Sequence, residues 1–197
     1  VEMISILAKH AIDLEWITAN PATGVEKLKG GEYQAWPDAK LKAFERYCIK
    51  NDLATELTAF HLCIGTGQRI GDVVKMEWAH FDGEYMEVAQ EKTGTRIWIY
   101  CPDKLRNYLS ALPRSGKHVL AKNLTQHISK RRIQHLIGEA RKAIGAEEFV
   151  IHGLRYTAAR ELAESGSSDT EIQSVTGHKS LGMVQKYRQQ ANQKRLS

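Results

Sequence analysis

Four short stretches of the sequence hold cationic or proton-transferring side chains that packing alone does not require. In Thr66-Gly67-Gln68-Arg69-Ile70-Gly71-Asp72, glycines flank an arginine and an acid follows it by three residues. On a helical turn Asp72 returns beside Arg69 and can hold its guanidinium, because residues three apart are neighbours; the same pair also reads as a surface ion pair of little energetic weight. Gln90-Glu91-Lys92-Thr93-Gly94-Thr95 sets Lys92 by a turn, where a lysine is either simply solvated or carried into a cleft at low structural cost. His152-Gly153-Leu154-Arg155 opens a helix after the apolar Phe149-Val150-Ile151. His152 and Arg155 then share a face while Leu154 and Ala158 anchor the opposite side. That pair is either a capping histidine with a surface arginine, or an imidazole beside a fork of donors suited to phosphate oxygens. The fourth stretch, SVTGHKSLGMVQKYRQQ, sets His178 nine residues ahead of Tyr187. Alone, Tyr187 is an amphipathic packing aromatic.

Taken together these side chains suit phosphoryl transfer. That reaction needs an in-line nucleophile and neutralised equatorial oxygens, and two arginines, two histidines and a lysine supply the neutralisation without metal. A tyrosine hydroxyl, with a pKa of about 10, attacks well only where cations and desolvation assist it. A metal-dependent nuclease is disfavoured, since no Asp/Glu/His cluster has ligand spacing. Cys48, Cys63 and Cys101 are odd in number and lack C-x-x-C spacing, so they read as reduced packing residues.

The elements that must position these groups are mostly helical. Ile4, Leu7, Ala8, Ile12 and Trp16 recur at helical spacing until Asn20-Pro21 and the glycines at 24, 30 and 31 break the pattern. Asp38 is the expected N-cap of a helix with Leu41, Phe44 and Cys48 on one face; a second helix follows with Leu53, Leu57, Phe60 and Ile64. A short helix is expected over 69–76. Between Trp78 and Tyr100 the period changes to two, in Tyr85–Ala89 and Arg96–Tyr100 around a turn at Thr93-Gly94, which predicts an antiparallel hairpin. Further helices are expected at 103–112, about 125–143, 152–165, 169–176 and 181–190. The fold class is α+β, mainly α-helical with a small antiparallel β-sheet. Residues 1–20 read as the end of a preceding unit, 21–35 as a linker and 36–197 as one domain with a tail.

Composition bounds the partners. Apolar residues make up 42% and charged residues 26%, which is globular. The sequence has no apolar run long enough for a membrane span and no signal-peptide pattern, so a cytosolic protein is expected. Lys and Arg outnumber Asp and Glu by 28 to 23, for a net charge of +5 and a pI of about 9.1. This permits a polyanionic partner without requiring one. The excess concentrates at Lys117, Lys122, Lys130, Arg131, Arg132 and Arg141, against Glu139 alone, so one face there can meet phosphates, with Lys122, Lys130, Arg131 and Arg132 as candidate contacts.

TGQRIGDV, KTG, HGLRYTAA and Gly177-His178 followed by Lys186-Tyr187 resemble, in order, the signature of the tyrosine recombinases or phage integrases, over roughly Trp36 to Gln190. The resemblance implies a catalytic domain that breaks and rejoins double-stranded DNA through a 3′-phosphotyrosyl intermediate, with no cofactor, neither metal nor ATP. It implies Arg69, Lys92, His152, Arg155 and His178 around a Tyr187 nucleophile. Arg69 and Arg155 would hold the non-bridging oxygens, Lys92 would protonate the leaving oxygen, His152 would assist proton transfer at the nucleophile, His178 would bond the phosphate and Asp72 would buttress Arg69. It also implies a homotetramer on two DNA duplexes, a monomer when isolated, possible accessory DNA-bending or directionality proteins, and a bacterial or phage-encoded, nucleoid-associated protein. Residues 1–20 would be the remnant of a core-binding domain. The sequence departs from the family pattern at Asp72, where Glu is more usual, at Gln68, where an apolar residue is common, and at Gly153 and Tyr156, where Asp and His are frequent. The alternatives are a type IB topoisomerase-like enzyme and a non-catalytic basic DNA-binding protein.

Overall fold

The computed structural model describes residues 1–26, 33–177, 182, 184 and 185. The chain divides into two compact units, Val1–Glu32 and Tyr33–Ser197. In the first, helix α1 (Glu2–Asp13) buries Ala8. Asn20 donates to Ser5 Oγ at 3.0 Å and accepts from Ala22 N at 2.9 Å, which ties the following turn back to the helix.

In the second unit, α2 (Asp38–Lys50) and α3 (Ala54–Thr66) lead to the short α4 (Ile70–Val73) and a 3₁₀ turn at Trp78–His80. The hairpin β1 (Tyr85–Ala89) and β2 (Arg96–Tyr100) follows, then α5 (Asp103–Ala111), α6 (Lys130–Ala143), α7 (Gly153–Glu164) and α8 (Asp169–Thr176). Positions 182, 184 and 185 are helical, and the rest of the helix expected at 181–190 lies outside the described residues.

Helix α3 is the hub. It is buried on almost every side, through Thr58, Ala59, Phe60, His61, Leu62 and Cys63, and packs against α2, α4, α5, α6 and α7. Its apolar residues do not keep to one face, so the helix is stable only in the core, where Thr58 and Thr66 bond the carbonyls of Ala54 and Leu62. Trp36 lies fully buried against Phe44, Phe60 and Phe149. Its indole Nε1 donates to Val150 O and its backbone N to Thr157 Oγ1, both at 2.9 Å, so the aromatic body is buried with its polar groups satisfied. Cys48, Cys63 and Cys101 are free and buried, and burial pushes the thiols of Cys48 and Cys63 up to about 12.

The hairpin pairs Tyr85 with Tyr100, Glu87 with Trp98 and Ala89 with Arg96. Met86, Val88 and Ile99 point into the core, as the period of two requires. Several boundaries differ from expectation. The short helix expected over 69–76 spans only Ile70–Val73. Pro37 occupies the N-cap of α2, and Asp38 sits in the first turn, where its carboxylate pairs with Arg160 at 2.6 Å. Helix α6 starts at Lys130 rather than near Thr125, because Ser129 caps it by accepting from Arg132 N at 3.2 Å. The residues before it form an Asn123 turn, with Oδ1 accepting from Gln126 N at 2.8 Å, and a bridge from Ala121 to His127.

Candidate active site

Arg69 is placed by the way α3 ends. Gly67 takes the left-handed conformation at φ 64° as the C-cap, a position that favours glycine, and the chain then turns so that Arg69 becomes the N-cap residue of α4. Its carbonyl receives the N–H groups of Asp72 and Val73 at 2.8 and 2.9 Å. Arg69 Nη1 is shielded from solvent and has no hydrogen-bond partner among the described residues. A buried donor in that condition costs about 1–3 kcal/mol unless an acceptor reaches it.

Asp72 does not buttress Arg69 as expected. Asp72 is buried within α4, and its Oδ1 accepts the backbone N–H of Glu91 at 2.9 Å, so it clamps the strand end that precedes Lys92. No ion pair joins Asp72 to Arg69 among the described residues, and Asp72 Oδ2 is buried without a hydrogen bond among them. Lys92 is exposed on the hairpin turn, which is closed by Gly94 N to Gln90 O at 2.8 Å and Gln90 N to Thr95 O at 2.9 Å.

His152 precedes α7 and makes no side-chain cap bond. Its ring lies edge-on between Tyr33 and Tyr156, with centroids at 4.7 and 5.6 Å. Burial, and then the charges of Arg155, Arg69, Lys92 and Lys130, push its pKa down to about 4. The imidazole is therefore neutral at pH 7. Arg155 does not share an exposed face with His152: it is 1% exposed, and its guanidinium donates to Gly67 O at 3.0 Å and to Thr176 O. It thus fastens the C-terminus of α3 to that of α8.

Arg69, Lys92 and His152 line one cleft of about 470 Å³ together with Tyr33, Glu91 and Lys130. Lys130, expected as one of several phosphate contacts, is in this cleft. Lys122 and Arg132 line a different groove with His118 and His127, and Arg131 is exposed on α6. His178 and Tyr187 lie outside the described residues; α8 ends at Gly177, in the left-handed conformation, directly before the first of them. Sequence reasoning did not single out Tyr33, Glu91 or the buried partnership of Gln68 and Gln90. Tyr33 was hidden in an expected linker, where only its aromatic character marks it. Glu91 pairs with Lys75 at 3.1 Å, a contact between elements that no local spacing signals.

A separate cavity of about 320 Å³, lined by Leu41, Glu45, Phe60, His61 and Lys104 among others, includes none of the residues singled out in the four stretches. Among the described residues no group of three or more His, Cys, Asp or Glu side chains could hold a metal ion, and no helix is long and apolar enough to cross a membrane.

The arrangement has known counterparts. The integrase of Enterobacteria phage 434 is 29% identical over 200 residues, covering 91% of this chain and 54% of the relative. That of Escherichia phage lambda is 31% identical over 148 residues, covering 66% and 40%. The chain thus spans about half the length or less of these curated relatives. Among solved structures, a lambda integrase dimer bound to a COC′ core site superposes with a TM-score of 0.77 at 25% identity, covering 95% of this chain and 57% of that one. A lambda integrase tetramer bound to a Holliday junction gives 0.78 at 25% identity, covering the same 95% and 57%. Residues 39–194 match the phage integrase family. With the ordered motifs, the helical fold around one hairpin and this match in agreement, the chain belongs to the phage integrase family of tyrosine recombinases, in the part that forms the catalytic domain.

Proposed function

We propose that this domain catalyses site-specific cleavage and rejoining of duplex DNA through a covalent link to Tyr187. The observation that carries the reading is the focusing of charge: Arg155, Arg69, Lys92 and Lys130 all act on the imidazole of His152, and three of them line its cleft. A phosphodiester is the natural anion for such a site.

In the proposed step the Tyr187 oxygen attacks the scissile phosphorus, forming the 3′-phosphotyrosyl bond and breaking the bond to the 5′-oxygen. His152, neutral at pH 7, takes the phenolic proton, and Lys92 gives a proton to the departing 5′-oxygen, which leaves as a hydroxyl. Arg69 and Arg155 neutralise the non-bridging oxygens, Arg155 while it holds the carbonyls of Gly67 and Thr176. His178 adds a hydrogen bond to the phosphate. The phosphotyrosine conserves the energy of the broken bond, so the reverse attack by a 5′-hydroxyl needs no further input.

By analogy with the lambda integrase tetramer on a Holliday junction, the assembly that exchanges strands is a homotetramer on two duplexes, assisted by DNA-bending or directionality proteins, and the isolated chain is a monomer. The exposed Ile4, Ile6 and Leu7 of α1 support reading residues 1–20 as the remnant of a core-binding domain, with 21–35 as a linker. A nicked suicide duplex carrying the attachment site tests the chemistry. A covalent protein–DNA band on a denaturing gel is expected from the protein and not from Tyr187→Phe; no band from the unaltered protein refutes the reading. Joined strands from two duplexes, rather than relaxed circles from one, separate recombination from topoisomerase activity.

A further inference from the structure

Gln68 and Gln90 are 1% and 2% exposed, and neither has a place in the chemistry above. Their amides form one directional chain. Thr93 Oγ1 donates to Gln90 Oε1 at 3.0 Å, Gln90 Nε2 donates to Gln68 Oε1 at 2.7 Å, and Gln68 Nε2 donates to Val175 O at 2.7 Å and to Thr66 O at 3.0 Å. Both N–H groups and the oxygen of Gln68 are therefore used, which fixes its orientation. Gly177 packs directly on this chain: a Cβ there would sit against both amide atoms of Gln90.

The residues at the ends of the chain matter. Gln68 immediately precedes Arg69, Gln90 and Thr93 bracket Glu91-Lys92, and Val175 and Gly177 lead into His178. Three segments that are far apart in sequence and carry separate charged groups are thus joined through two buried amides. An apolar residue at 68 would fill the space but would leave the Val175 carbonyl and the Gln90 amide without these partners, an expensive condition in a low-dielectric interior.

We propose that Gln68 and Gln90 are positioning residues: their amide relay holds the Arg69 loop, the Lys92 hairpin and the end of α8 in one register, so that Lys92 reaches the leaving oxygen. The inference rests on the strand-cleavage reading given above. Misplacement of a catalytic group by about 1 Å can cost on the order of 100-fold in rate, and loss of the relay acts through Lys92 rather than through DNA affinity.

The test uses the 197-residue protein and two forms of the suicide duplex, one with the normal 5′-bridging oxygen and one with sulfur in its place. Sulfur leaves as a thiolate and needs no general acid. For Gln90→Leu and Gln68→Leu, single-turnover cleavage of the oxygen substrate at saturating DNA is expected to fall by roughly 10- to 100-fold. DNA affinity is expected to stay unchanged. The sulfur substrate should restore most of the rate, as it should for Lys92→Ala. The double variant should be no slower than the slower single one, because both break the same chain. Thr93→Val, which removes only the outer hydroxyl, should show a smaller loss with the same sulfur recovery, and it keeps the test open if a glutamine variant fails to fold. Full cleavage rates in all three variants, or losses that sulfur does not recover, overturn the relay while leaving the cleavage reading intact. Absence of a covalent adduct from the unaltered protein overturns both.

Discussion

At the scale of single residues the site depends on cations gathered in one cleft, where Arg69, Lys92 and Lys130 line the wall with the acids Asp72 and Glu91. His152 shows the consequence, since burial and the neighbouring cations lower its pKa to about 4. His61 is lowered to about 4 as well, chiefly by burial. The sign for stability follows. An unfolded histidine titrates near 6.5, so between about 6.5 and 4 the unfolded chain binds more protons than the folded one. Stability is complete above that window and falls as pH drops through it. Denaturant midpoints measured from pH 7 to pH 4 should decline, and His152→Gln should flatten the decline while His61 maintains part of it; a profile unchanged by the substitution contradicts the assignment. Arg69 presents a buried donor at the cleft, so Arg69→Ala should slow covalent-adduct formation by about 100- to 1,000-fold, in the range of a lost oxyanion donor. Arg69→Lys should recover only part of this, since an ammonium lacks the planar fork.

The elements place these residues through their ends. Arg69 follows the C-cap of α3, His152 precedes α7, Lys130 begins α6 and Gly177 closes α8. Substitutions at helix ends should therefore disturb the site more than surface changes in mid-helix. At Gly153 a Cβ would meet the backbone carbonyl of Gln34 and the Trp36 ring. Neither yields easily, and Gly153→Ala should destabilise the domain by about 1–3 kcal/mol in equilibrium denaturation. Ser168 and Glu171 form a reciprocal capping box on α8; Ser168→Ala should cost about 1 kcal/mol. The hairpin is legible in the sequence because alternation over Tyr85–Ala89 and Arg96–Tyr100 marks an inward face. The start of α6 is less so. Residues 125–128 are compatible with a helix locally, but the Asn123 turn and the pairing of Ile128 N with Leu120 O at 2.8 Å hold them extended.

For the whole molecule, the net charge is +5, and basic side chains gather in two places, the cleft with Arg69, Lys92 and Lys130 and the groove with Lys122 and Arg132. If the groove follows the DNA backbone, Lys122→Ala and Arg132→Ala should each reduce the slope of log affinity against log salt by about 0.9, measured by fluorescence anisotropy on non-cognate duplex. An unchanged slope removes the groove from the interface. The sequence by itself determined which side chains are available for the chemistry, their local settings at turns and helix starts, and the class of the fold, because glycine breaks, periodicity and motif order are local properties. Tertiary structure alone decided which of them meet. Asp72 turns to Glu91 instead of Arg69, Arg155 goes under the site to bind carbonyls at Gly67 and Thr176, Lys130 joins the cleft while Lys122 and Arg132 leave it, and Gln68 finds Gln90. Each of these contacts joins segments whose approach is set by packing around α3, and the pull of a buried carbonyl or amide for a partner outweighs the preferences of neighbours in sequence.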